Sequence, residues 1–287
     1  MNTVGQVIAM MKQQLEGYYE SRELNNIADL ILEDYLGQSR VTFHSQPELP
    51  VSRKVLSRIH IATERLKQHV PVQYILGRAH FCELEFMVNE HVLIPRQETE
   101  ELVRWILSDL SAGIAGQSLN ILDVGTGSGC IAIALKRNFP DLTVSALDIS
   151  YKALDVARLN AKTLMTDIQF LQMDILNPDQ WDFSGRFDLM VSNPPYVLQA
   201  DKARMKANVL DHEPALALYV EDSRPLIFYE ALVTFAGRYL SPGGKIYLEI
   251  NEQMGSQVCD LFRDAGYRRI LLKRDIHDRN RMVRIEG

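Results

Sequence analysis

Cysteine is scarce in this chain of 287 residues: Cys82, Cys130 and Cys259 are too few and too widely spaced for a disulfide framework or a zinc knuckle. They are read as reduced thiols of a cytoplasmic protein. Positive charge is also short, with 31 Lys and Arg against 37 Asp and Glu, and a formal net charge of -6 provides no overall basic field to gather nucleic-acid phosphates. No apolar run approaches the ~18 residues of a membrane span, and MNTVGQVIAMMKQQLEG lacks a basic leader with a long apolar core. Neither secretion nor membrane insertion is expected. The seven histidines show no metal-ligand spacing, so no metal site is expected either. What is present, 46% hydrophobic and 24% charged residues, is ordinary soluble usage, and the length suggests two domains or one domain with an extension.

The first part reads as helical. Val4, Val7, Ile8, Met11 and Leu15 recur at one-face spacing, as do Ile27, Leu30, Ile31 and Tyr35, and again Val51, Val55, Ile59, Ala62 and Leu66. Pro71 stands just past the third stripe and discourages its continuation. Residues 1–78 are therefore expected to form a small helical domain. Residues 79–95 partly alternate apolar and polar side chains, which predicts a β-hairpin connector turning at Asn89 and Glu90. From residue 96 to 287 the pattern becomes strand, helix, strand: LNILDVG, CIAIALKRNF, TVSALDIS, KALDVARLNAKTL, IQFLQMD, FDLMVSN. That alternation predicts an α/β domain with a doubly wound, mostly parallel sheet.

In ILDVGTGSG an apolar strand runs into Gly125, Thr126, Gly127, Ser128 and Gly129, and a helix follows at once. Glycines permit positive φ and let backbone approach a ligand, so this loop should line a nucleotide-like molecule. The spacing is G-x-G-x-G, with Cys130 where a dinucleotide site wants its third glycine. Acids end the next two strands: Asp148, placed to accept from both ribose hydroxyls, and Asp174, placed to accept from an adenine amino group. An adenosine pocket without a phosphate clamp suits S-adenosylmethionine better than a nicotinamide cofactor.

The strand FDLMVS then delivers Asn193, Pro194, Pro195 and Tyr196. An sp2 amino nitrogen is a poor nucleophile because its lone pair is delocalised, so its N–H bonds must be held and its nitrogen aimed. Asn193 offers a side-chain carbonyl and Pro194 a backbone carbonyl, two acceptors for one NH2 group; Pro195 stiffens the loop, and the Tyr196 ring is expected against the planar substrate. Asn193, Pro194 and Tyr196 are thus the candidate catalytic residues, and Asn193 is expected to touch cofactor as well as substrate. Loss of a proton can follow methyl transfer, so no general base is required. A methyltransferase of an adenine or guanine amino group shares this chemistry, although no base-reading module is recognised.

With PVQYILG at 71–77, VLIPRQETEELV at 92–103 and HEPALAL at 212–218, nearly the whole chain resembles the protein-(glutamine-N5) methyltransferases of peptide chain release factors. The resemblance implies a Rossmann-like class I methyltransferase fold and S-adenosylmethionine contacts from residues 125–129 and Asp148. It also implies Ile175 on the adenine side and the substrate glutamine, from a Gly-Gly-Gln motif, on residues 193–196. Release factors would be the protein partners, with no stable nucleic-acid binding. Arg96, Glu98, Thr99 and Glu100 would wall the same pocket, while Glu249 in YLEIN is read as structural. Two departures, Gln97 in place of proline and Asp278 in place of glycine, put only local loop shape in question.

Overall fold

The computed structural model describes residues 2–113 and 118–287. The chain divides into two compact units: one runs to Arg78 and also holds Lys206–His212, and the other comprises Ala79–Met205 and Glu213–Gly287.

In the helical unit, α1 (Val4–Gln14) begins with a capping box, in which the Thr3 and Gln6 side chains each accept the other's backbone N–H. α2 (Ser21–Leu36) stops at Gly37, which takes the left-handed conformation. α3 (Arg40–Ser45) and α4 (Arg53–Lys67) start from serine caps, and α5 (Val72–Leu76) starts after Pro71. Val4, Val7, Met11, Ile31, Phe43, Ile59 and Leu66 close one core. The α2 stripe is shifted from the expected one: Leu30 is exposed while Leu24, Ala28 and Leu32 face inward with Ile27 and Ile31. Lys206 pairs with Glu23, and the His212 ring meets the Gln68 carbonyl at 2.7 Å, which ties the inserted segment to this unit.

A hairpin, β1 (Arg78–Phe81) and β2 (Leu84–Met87), begins at the last residue of the first segment and leads into the other unit. Its turn falls on Cys82 and Glu83, with φ of 47° and 63°, and not on Asn89 and Glu90 as the sequence suggested. Neither residue carries turn chemistry; Glu100 Oε1 accepts the Cys82 N–H at 3.0 Å and holds the turn from outside. Asn89 instead makes a local turn after β2 by accepting the His91 N–H.

There follow α6 (Gln97–Gly113), β3 (Asn120–Val124), α7 (Cys130–Asn138), β4 (Thr143–Asp148), α8 (Tyr151–Thr163), β5 (Gln169–Gln172) and β6 (Phe187–Ser192). Beyond these come β7 (Val197–Leu198), α9 (Ala207–Leu210) in the inserted segment, α10 (Ala215–Leu218), β8 (Tyr219–Val220), α11 (Ile227–Tyr239), β9 (Leu240–Glu249), α12 (Gly255–Asp264), β10 (Arg269–Arg274) and β11 (Asn280–Glu286). The seven-stranded sheet has the order β10, β11, β9, β6, β3, β4, β5, parallel from β9 to β5 and antiparallel at β11.

Strands β3, β4 and β6 are nearly continuously buried, as strands covered on both faces must be. One face packs on α6, α7 and the hairpin through Leu102, Ile106, Ile131, Phe81 and Phe86. The other packs on α11 and α12 through Tyr229, Phe235, Val258 and Phe262. This is the doubly wound, mostly parallel architecture expected from the alternating pattern. The edge strand β10 presents Arg269, Lys273 and Arg274 to solvent, and charges there discourage pairing with another sheet. Among the described residues no helix is long and apolar enough to cross a membrane.

Candidate active site

β3 and β6 pair in register, Val124 against Ser192, and the Ser192 hydroxyl donates to the Val124 carbonyl at 2.8 Å. The loops that leave their carboxyl ends, residues 125–129 and 193–196, therefore emerge side by side. The strand order reverses between these two strands, the place where open α/β sheets hold ligands. A cavity there is lined by Gly125, Thr126, Gly127, Ser128, Asp148, Asp174, Ile175, Asn193, Pro194 and Pro195, among others.

Gly127, at φ 55°, has open space where a Cβ would stand, and its N–H donates to Asp148 Oδ2 at 2.9 Å. Gly129 does not line the cavity. A Cβ on it would lie 3.1 Å from Ile133 and 3.2 Å from Ala157, so it permits close packing of α7 on α8. Asp148 Oδ1 accepts the Ser150 N–H at 2.9 Å. Burial raises the Asp148 pKa and the backbone N–H bonds oppose that rise. With about four lone-pair sites on a carboxylate, acceptor capacity remains for a diol. Asp174 Oδ1 accepts the Leu176 N–H at 2.8 Å, and Ile175 adds a buried apolar surface next to it. Positive-φ glycines, an acidic diol acceptor and an apolar neighbour are a donor and acceptor set that fits an adenosine-bearing cofactor.

Beneath the glycine loop lies Asp123, fully buried. Its Oδ2 accepts from the Thr126 hydroxyl at 2.6 Å and the Ala132 N–H at 3.3 Å, while Oδ1 finds no hydrogen-bond partner among the described residues. Burial pushes its pKa up to about 7. Asn160, on α8, joins the hairpin to this loop: it exchanges hydrogen bonds with the Met87 backbone and donates to the Ser128 carbonyl.

Asn193 is held through its amide: Nδ2 donates to Thr99 Oγ1 at 3.0 Å, and Thr99 donates to Glu249 Oε2 at 2.7 Å. Tyr196 does not line the cavity as the sequence led us to expect. Its hydroxyl donates to Glu249 Oε1 at 2.9 Å, and its ring packs into the core on the α11 and α12 face. Burial, then the charge of Glu249, raises the Tyr196 pKa well above the usual tyrosine range, so the phenol keeps its proton.

Of the four residues expected to wall the pocket, Arg96 and Thr99 line it, whereas Glu98 and Glu100 do not. Glu100 is spent on Cys82 and Arg104. Arg96 pairs with Glu213, a buried side chain that also accepts the Ile94 N–H at 3.2 Å, so the 92–103 and 212–218 segments close one wall together. Gln97 is the first residue of α6, a helix position at which proline's missing N–H would cost nothing. Asp278 adopts φ 61°, the conformation for which glycine is usual, and pairs with Arg274.

The sequence reads Glu249 as structural and gives no individual role to Asn160 or to Glu213, which lies within the 212–218 segment. A buried acid at the end of a strand could have pointed to the first, but its partners lie in distant segments.

The chain matches the family model Methyltransferase small domain over residues 99–215 and the model PrmC N-terminal domain over residues 6–77. A release factor glutamine methyltransferase of Flavobacterium psychrophilum is 40% identical over 273 residues, with 95% of this chain and 95% of that protein covered. A release factor glutamine methyltransferase of Bacteroides thetaiotaomicron is 37% identical, with 98% and 99% covered. Among solved structures, the T. thermophilus 16S rRNA N2 G1207 methyltransferase RsmC, in complex with AdoMet and guanosine, aligns with a TM-score of 0.51 at 17% identity. That alignment covers 73% of this chain and 49% of the other, and shows the fold alone.

Proposed function

Because the chain belongs to the family of release factor glutamine methyltransferases, we propose that it moves a methyl group from S-adenosylmethionine to the side-chain amide nitrogen of the glutamine in a release factor's Gly-Gly-Gln motif. The observation that carries the reading is the hydrogen bond from Asn193 Nδ2 to Thr99, which leaves the Asn193 carbonyl as the group offered to the cavity.

Bound S-adenosylmethionine supplies a methyl group on a sulfonium, an electrophile that needs no further activation. Gly125, Gly127 and Asp148 would hold its ribose and methionine portion, and Asp174 and Ile175 its adenine. Asn193 Oδ1 and the Pro194 carbonyl accept the two N–H bonds of the substrate amide, and the two prolines keep both acceptors in one rigid segment. As the N–C bond forms and the S–C bond breaks, the nitrogen gains positive charge and its protons bind these oxygens more strongly, so the acceptors stabilise the transition state more than the ground state; a neutral thioether leaves, and one N–H proton is then lost to solvent. Tyr196, a neutral phenol bonded to Glu249, anchors the end of the loop. Positioning supplies the rest, since an amide nitrogen attacks only when aimed.

Every residue that lines the cavity belongs to the second unit. The helical unit is therefore assigned to docking the protein substrate, with residues 79–95 as connector and 96–287, apart from the Lys206–His212 segment, as the methyltransferase domain. A glutamine between small neighbours suits the cavity, because glycines let the adjoining backbone come close. The test is labelled methyl transfer to purified release factor, to its glutamine-to-alanine variant, and to DNA and RNA. Label confined to the glutamine-bearing protein is expected; label that persists in the variant or goes to nucleic acid overturns the assignment.

A further inference from the structure

The hydrogen bonds behind Asn193 have a direction that one buried carboxylate imposes. Glu249 closes β9 with 1% of its surface exposed, and it receives the hydroxyl protons of Thr99 at 2.7 Å and Tyr196 at 2.9 Å. A hydroxyl carries a single proton. Thr99 spends its proton on Glu249, so it can only accept from Asn193, and Asn193 Nδ2 donates to it at 3.0 Å. What Asn193 then has for the cavity is Oδ1. The same carboxylate holds the far end of the loop through the Tyr196 hydroxyl, and the Tyr196 carbonyl accepts separately from Asn251 Nδ2 at 3.2 Å.

We propose that Glu249 is a positioning residue for the methyl-transfer reaction: acting through Thr99 and Tyr196, it turns the Asn193 amide so that a carbonyl faces the substrate, and so selects a substrate that offers N–H donors. An amide nitrogen satisfies that demand; a carboxylate, which offers no proton, does not. A buried carboxylate is costly to keep unless it is hydrogen-bonded, and an apolar residue would serve packing better. Burial raises the Glu249 pKa, and the hydrogen bonds from Thr99 and Tyr196 together with the charge of Arg281 oppose that rise.

Glutamine at 249 offers one acceptor and one donor where two acceptors are needed. If its NH2 faces Thr99, the Thr99 proton turns toward Asn193 and the amide flips; if it faces Tyr196, the tyrosine loses its acceptor.

The inference rests on the proposed reaction, and its test separates the two. Full-length wild type, Glu249→Gln, Thr99→Val, Thr99→Ser and the Glu249→Gln/Thr99→Val double variant are assayed on purified release factor for kcat, KM, cofactor Kd and thermal midpoint. Glu249→Gln and Thr99→Val are expected to lower kcat by about tenfold to a hundredfold, the scale of a misplaced reacting group, with cofactor Kd nearly unchanged. Serine at 99 restores most of the turnover lost with valine, and the double variant is no worse than the poorer single, as for groups that act as a unit. Wild-type turnover in Glu249→Gln, additive losses in the double variant, or losses explained by a lowered folded fraction overturn the proposal. Should wild type methylate nucleic acid instead, the functional reading fails, and the same variant ratios on that acceptor still decide the role of Glu249.

Discussion

Asp123→Asn isolates one buried proton under the glycine loop. The Asp123 carboxyl has no exposure, one of its oxygens is unpartnered among the described residues, and burial lifts its pKa from 3.8 to about 7 against the opposing Thr126 and Ala132 bonds. Below about pH 4 the group is protonated whether the chain is folded or not, so it adds no pH dependence. Between about pH 4 and about pH 7 the folded protein keeps a proton that the unfolded chain releases, and each pH unit removes about 1.4 kcal/mol of stability. The loss totals on the order of 4 kcal/mol and levels off above that window, where both states are ionised. Asparagine has nothing to titrate. The stability of the variant relative to wild type should therefore rise through the window and then plateau, whatever constant offset the amide adds by packing. Urea unfolding of both proteins at a series of pH values measures this difference directly. A difference that stays constant from about pH 4 to about pH 8 would show that Asp123 does not titrate there, and the account of its burial would be wrong.

Asn193→Ala should lower kcat by about a hundredfold or more, the scale of one preorganised polar group, with little change in cofactor Kd by calorimetry; near-normal turnover removes it from the chemistry. Asp148→Ala should weaken S-adenosylmethionine binding, because it strips both the ribose acceptor and the Gly127 N–H partner; an unchanged titration refutes that role. Cys130 lines the cavity, but burial pushes its thiol up to about 12, so iodoacetamide at neutral pH should leave it unmodified in the folded protein, as mass spectrometry of the digest would reveal.

What local pattern carries was legible in the sequence. Continuous apolar strands such as ILDV and MVS, each closed by glycines or by Asn193 and prolines, encode a parallel sheet with its ligand loops at one end. The stripes Val4, Val7, Met11 and Ile59, Ala62, Leu66 encode the helical core. What depended on partners far along the chain was not legible. Glu249 reads as a lone acid in YLEIN, and its meaning comes from Thr99, 150 residues away. The hairpin turn at Cys82 and Glu83 is held by a hydrogen bond to Glu100, 18 residues on, whereas the local preference pointed to Asn89. The exposed Leu30 shows the same limit on a smaller scale, since the spacing admits it to the α2 stripe and the neighbouring helices decide which edge is covered.

The Lys206–His212 segment makes the two compact units nested instead of serial, because the chain passes between them at Arg78, at Met205 and again at His212. A protease nick after Arg78 would therefore not free a helical fragment cleanly, since part of that fragment's packing resides in the other piece, at Lys206 and His212. By the same token, a chain begun at Ala79 keeps the Lys206–His212 stretch without the rest of the unit to which it belongs.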